Sequence, residues 1–141
     1  MEVSHVRKRL QGAIAAARQR AQQRRQATAD AERAYATFLE TIATPITRQV
    51  ATVLKAEGFA FTISTPGNGL RLAVDRGRDD FIEISLDTEI DPPQVIGRIS
   101  HTHGSRTIDE ERPIKAGTAP DALTEDDVLE FLLSALQPWL R

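Results

Sequence analysis

The apolar positions of the chain follow two different periods, and the change falls at Gly58. Residues 4–58 are rich in Ala, Arg, Gln, Glu and Leu, all good helix formers, and Gly58 is a natural stop. Pro45 is expected to interrupt the run, because proline removes a backbone donor and biases the preceding residue, Thr44, away from helical angles. The pattern therefore predicts a long helix to about Thr41 and a second from about Pro45 to Glu57. The second carries Ile46, Val50, Val53 and Leu54 at helical spacing. The long helix is thinly apolar. From Gln11 to Thr37 its only large apolar side chains are Ile14 and Tyr35, and alanine fills the remaining positions of its face. Such a face buries little area, so the N-terminal half is expected to project from the body unless a partner covers it.

From residue 59 to 112 the period becomes two. Phe59, Phe61 and Ile63 share one face, as do Leu70, Leu72 and Val74, and Ile82, Ile84 and Leu86. Turn signals at Pro66-Gly67-Asn68-Gly69 and Arg76-Gly77-Arg78 separate these runs. Pairing Thr65 with Leu70 sets Ile63 against Leu72 and Phe61 against Val74. Pairing Arg76 with Asp80 sets Val74 against Ile82 and Leu72 against Ile84, and adds an ion pair at the turn. Apolar positions oppose apolar ones in both hairpins, which predicts an antiparallel meander. A fourth strand, Val95 to His103, and a fifth, Arg106 to about Arg112, complete it. The turn between them is Gly104-Ser105, of the type that favours glycine first.

The last helix is predicted over residues 124–137. Thr124 and Asp127 are spaced as a capping box, and Glu125, Asp126 and Asp127 suit the positive end of the helix dipole. Val128, Leu129, Phe131, Leu132, Leu133, Ala135 and Leu136 make it apolar on most sides. One face is expected on the sheet. The other requires the second helix or a second protomer. The whole reads as a single α+β domain, residues 1–141. It comprises a helical arm (1–41), a helix (45–57), an antiparallel meander of about five strands (59–112) and a C-terminal helix packed on the sheet (124–137). This order resembles the general plan of small α+β proteins that dimerise and hold partners, such as secretion chaperones.

Composition narrows the possibilities. The 141 residues include no cysteine, which excludes disulfides, thiolate metal sites and cysteine nucleophiles. No apolar run approaches the ~18 residues of a membrane span, and "GAIAAA" is too short and weakly apolar for a secretory signal core. The expected setting is the cytoplasm, with no membrane partner. The net charge of −2 conceals an asymmetry. Residues 1–30 carry seven Lys/Arg and two Asp/Glu, a balance of +5, whereas the remaining residues carry 11 and 18, a balance of −7.

Candidate chemistry is sparse. His101 and His103 alternate on one strand face, and with Glu110 they are the candidate metal ligands. Arg106 opposite His103 and Ile108 opposite His101 argue against a metal, since zinc usually takes three or four protein ligands. The competing reading is a hairpin end at the rim of the core. The acidic pairs are explained as turn and cap residues. There is no P-loop, dinucleotide fingerprint or nucleophile elbow, so neither a cofactor nor a catalytic residue is assigned. Arg7, Lys8, Arg9, Arg18, Arg20, Arg24 and Arg25 make the arm a candidate partner-binding element. Nucleic acid is an alternative partner, although the arginines do not form one stripe and no aromatic residue lies among them to stack on bases. Trp139, free to turn after Pro138, is a further partner-binding candidate, with tucking back onto the core as the competing reading. The expected function is a non-enzymatic, dimeric protein-interaction module (an adaptor, chaperone-like protein or assembly factor) that docks through its N-terminal helix. The alternatives are a nucleic-acid-associated protein, or a small-ligand or metal module at the His101/His103 hairpin.

Overall fold

A computed structural model describes residues 1–75 and 79–140. Helix α1 (Val3–Phe38) continues through a π-helical turn (Leu39–Ala43) directly into α2 (Thr44–Ala56). Five strands follow, β1 (Phe61–Ser64), β2 (Leu70–Val74), β3 (Phe81–Asp87), β4 (Gln94–His103) and β5 (Arg106–Pro113), paired in chain order as one antiparallel sheet. A short 3₁₀ turn at Pro120–Ala122 leads to α3 (Glu125–Ala135), and a second at Gln137–Trp139 closes the chain.

The expected break before Pro45 does not occur. Thr44 keeps helical angles, φ −65° and ψ −48°. A proline in a regular helix would press on the carbonyl four residues back, here that of Thr41. The chain avoids this by widening the preceding turn: the Thr44 amide donates to the carbonyl of Leu39, five residues back. The π turn lets the proline enter at the start of α2 without stopping the helix.

The sheet has one apolar face. Leu70, Leu72, Ile82, Ile84, Val95 and Ile99 are buried on it against Tyr35, Phe38, Ala43, Leu54, Val128, Phe131, Leu132, Ala135 and Leu136. Helix α2 lies over β1 and β2, and α3 lies beside it over β4. The second apolar face of α3 is therefore covered within the chain, by α2 and the π turn. Thr124 and Asp127 form the expected capping box. The opposite sheet face meets solvent and carries a ladder of charge. Arg71 pairs with Glu83, and Arg98 with Asp109. The guanidinium carbons of Arg71 and Arg98 stand 4.0 and 5.5 Å from the centroid of the Phe81 ring.

The first and last hairpins have the predicted registers. Ile63 faces Leu72, His101 faces Ile108, and Ile99 faces Glu110. The middle hairpin is shifted by two residues, pairing Leu72 with Ile82 and Leu70 with Ile84. A slip of two preserves the faces, so apolar alternation does not distinguish the two registers. The expected ion-pair partner Arg76, with the turn residues Gly77 and Arg78, lies outside the described residues. Asp80 is engaged elsewhere, in the cluster described below.

Candidate docking site

All of residues 1–20 are exposed, and only Ala21 among the next seven is partly covered. At 1.5 Å per residue, Val3–Ala27 extends for about 37 Å from the body. Ala, Arg and Gln sustain such a length with little tertiary support, because the segment is well above the ~12–15 residues at which isolated helices become marginal. Four large apolar side chains are left in solvent on it: Val3 (74% exposed), Val6, Leu10 (58%) and Ile14. They recur at steps of three and four, so they form one stripe. Continued along the helix, the stripe passes Ala17, Ala21 and Thr28 and runs into Ala31, Tyr35 and Phe38. Tyr35 and Phe38 are fixed in the core. The exposed apolar face of the arm is thus the outward extension of the face that packs the body.

The basic residues flank this stripe. Arg7, Arg18 and Arg25 follow one edge; Arg9, Arg20 and Arg24 follow the other; Lys8 lies behind. None of the seven is in a salt bridge among the described residues. The first ion pair along α1 is Asp30 with Arg33.

At the root of the arm, a cleft of about 680 Å³ opens between α1, the π turn, the β1–β2 turn and the end of β3. Glu32, Glu40 and Glu83 line it, and no Lys, Arg or His is among its lining residues. Tyr35 ties the two sides together. Its hydroxyl donates to the carbonyl of Asn68 at 2.8 Å and lies 3.3 Å from that of Ile84. Burial, and then the Glu83 carboxylate, push the Tyr35 pKa well above its ordinary value. The unfolded chain ionises this phenol near pH 10 while the folded chain holds it neutral, so the stabilising contribution is complete below pH 10 and falls as pH rises further. Tyr35→Phe is expected to cost about 1 kcal/mol and to flatten the loss of stability between pH 9 and 11. Urea melts of both proteins across that range check it.

The histidines do not converge on a metal site. His101 lies on the core side, its ring 5.9 Å from that of Trp139 in an edge-on arrangement, and across the ladder from Ile108. His103 is exposed and faces Arg106. Glu110 pairs with Arg112 at 3.3 Å. No group of three metal-ligating side chains with suitable placement occurs among the described residues.

Trp139 is held to its own body. Its indole N–H donates to Asp80 at 3.2 Å, and its ring meets Phe61 edge-on at 5.9 Å. Asp80 also accepts from the backbone N–H of Thr102 at 3.0 Å and from the Thr102 hydroxyl at 2.8 Å. Sequence reasoning misses this buried carboxylate. Its signal is phase: Asp80 alternates with Ile82 and Ile84, placing an acid on the apolar face.

Comparison with protein-family models, curated proteins and solved structures finds no match. Among the described residues no helix is long and apolar enough to cross a membrane.

Proposed function

We propose that this chain is a non-enzymatic protein-interaction module that docks through its N-terminal helix. The observation that carries the reading is the uncovered stripe Val3, Val6, Leu10 and Ile14, in line with the packed residues Tyr35 and Phe38. Side chains of this kind are left in water on a projecting helix at a cost, recovered when a complementary apolar surface covers them. Arginine on both flanks supplies directional contacts to carboxylates at the rim of such a contact. The partner this favours is a protein surface with an apolar centre and acidic borders.

The competing reading is nucleic acid, favoured by the seven cations of the arm that have no ion-pair partner among the described residues. It gives no role to the apolar stripe, and no Phe, Tyr or Trp lies among the basic residues of positions 1–30 for base stacking. Titration into labelled duplex DNA and single-stranded RNA at 50 and 150 mM salt separates the two. The expected result is weak binding at 50 mM salt that disappears at 150 mM and is unchanged by Leu10→Glu with Ile14→Glu. Tight binding at 150 mM salt, abolished by Arg18→Glu with Arg25→Glu, would overturn the protein-docking reading.

A further inference from the structure

The two edges of the sheet differ. β5 carries five charged side chains and ends on Pro113, a composition that resists pairing with another strand. β1 is the other edge, since it pairs with β2 alone. Residues 59–65 hold no charge and no proline. The Asp75 amide donates to the Ala60 carbonyl at 3.1 Å, so Ala60, Thr62 and Ser64 direct their backbone groups at β2. Phe61 and Ile63 alternate with them and direct theirs outward. Among the described residues, the N–H and C=O groups of Phe61 and Ile63 have no backbone partner. They form a short ladder open to a further strand.

Helix α2 stands beside this edge. A groove of about 430 Å³ lies between them, lined by Arg48, Ala51, Thr52 and Lys55 of the helix and by residues 60–63 of the strand. Arg48 and Lys55 are exposed, and neither has an ion-pair partner among the described residues. They stand two turns apart, about 10 Å along the helix, with Ala51 and Thr52 between them. The helix wall is therefore small at its centre and cationic at both ends. Asp75 is the one carboxylate among the lining residues. It belongs to the opposite face of the sheet, where it accepts from the Thr62 hydroxyl, because Thr62 alternates with Phe61 and Ile63. On the α2 side the lining residues thus carry two positive charges and no negative one. Side chains on one face of a strand recur about every 6.8 Å, so two acids on the same face of an added strand come within reach of both cations.

We propose that this groove takes an extended acidic segment of a partner protein, added antiparallel to β1 as a sixth strand. The segment's backbone pairs with Phe61 and Ile63, and carboxylates on its helix-side face meet Arg48 and Lys55. Main-chain pairing supplies affinity, and the two cations supply selection. This surface is separate from the arm and does not depend on the docking reading above. A second copy of this chain fits it less well. Two β1 edges paired about a two-fold axis would set Arg48 and Lys55 of one copy against the same cations of the other.

Fluorescence anisotropy with the full chain and a labelled nine-residue peptide of alternating glutamate and valine tests it. The expected result is saturable binding. In an antiparallel pair, directly opposed residues share a face, so the glutamates oppose Phe61 and Ile63 and their amides are the ones that meet β1. N-methylation of the glutamate amides should abolish binding, whereas N-methylation of the valine amides, which face away, should change Kd less than about threefold. Arg48→Glu with Lys55→Glu should weaken binding of the glutamate peptide at least tenfold and should favour a peptide of alternating lysine and valine. Both positions are exposed, and thermal melting checks that the variant is folded. No saturable binding at 1 mM peptide, or binding indifferent to the methylation site or to the charge reversal, would overturn the proposal. Loss of binding in Arg18→Glu with Arg25→Glu but not in Arg48→Glu with Lys55→Glu would place the peptide on the arm and overturn it too. Sedimentation velocity supplies the remaining outcome: a dimer of the chain alone that the peptide dissociates would put a second copy on the edge in place of the acidic segment.

Discussion

Gly97→Ala is expected to destabilise the protein by about 3 kcal/mol, at the upper end of the usual cost of overpacking a core. The reason is local and steric. A Cβ at this position would stand 2.9 Å from Phe131 Cε2 and closer still to Cζ and Cε1. Contacts under 3.0 Å are not tolerated, so either the ring or the strand must move. Phe131 is buried, and α3 packs against both the sheet and the neighbouring α2, so the ring moves only by displacing its neighbours. Without the ring, the same change would be mildly favourable, because glycine in a strand interior is worth roughly 0.5–1 kcal/mol less than alanine. The contact therefore decides the sign. Urea denaturation of Gly97→Ala, Phe131→Leu and the double variant measures it. The double variant should be more stable than the sum of the single costs predicts, because the smaller side chain makes room for the methyl group. A loss below 1 kcal/mol for Gly97→Ala alone would mean that α3 does not lie on β4 as described.

That close approach also shows which parts of the fold are legible in the sequence. Gly97 interrupts the apolar alternation of Val95, Ile99 and His101, but the side chain that fills the gap comes from 34 residues further on. Local pattern carries the elements themselves: the helix-to-strand change at Gly58, two of three tested registers, and the Thr124–Asp127 cap. It fails where two solutions satisfy the same pattern. A β2–β3 register two residues away keeps every apolar side chain on the same face, so long-range packing decides it. At Pro45 the local rule is correct for a regular helix and is evaded by a π turn, a change of hydrogen-bond register that composition does not encode. The arm is legible because its apolar content is too low to build a core.

The second large effect is expected at Asp80. Asp80 is 6% exposed, and its carboxylate accepts from the Thr102 amide, the Thr102 hydroxyl and the Trp139 indole, so one side chain joins the start of β3, the end of β4 and the C-terminal turn. Hydrogen bonds to a charged group each contribute about 1.5–3 kcal/mol, and removing the acceptor leaves the donors unmatched. Asp80→Ala is accordingly expected to cost about 3 kcal/mol. Asp80→Asn separates the contributions. One amide oxygen still accepts from Thr102, but the amide nitrogen then faces the indole N–H, donor against donor. The expected loss is about 2 kcal/mol, with release of the only tryptophan in the chain. Its emission should shift to the red in Asp80→Asn as the ring leaves Phe61 and His101 for water. Trp139→Phe should cost less than either, because Asp80 keeps both contacts to Thr102. Equal losses for Asp80→Asn and Trp139→Phe would place all of the stabilisation in the indole contact and none in Thr102. Unchanged tryptophan emission in Asp80→Asn would show that packing alone, and not the carboxylate, holds the C-terminal turn on the sheet.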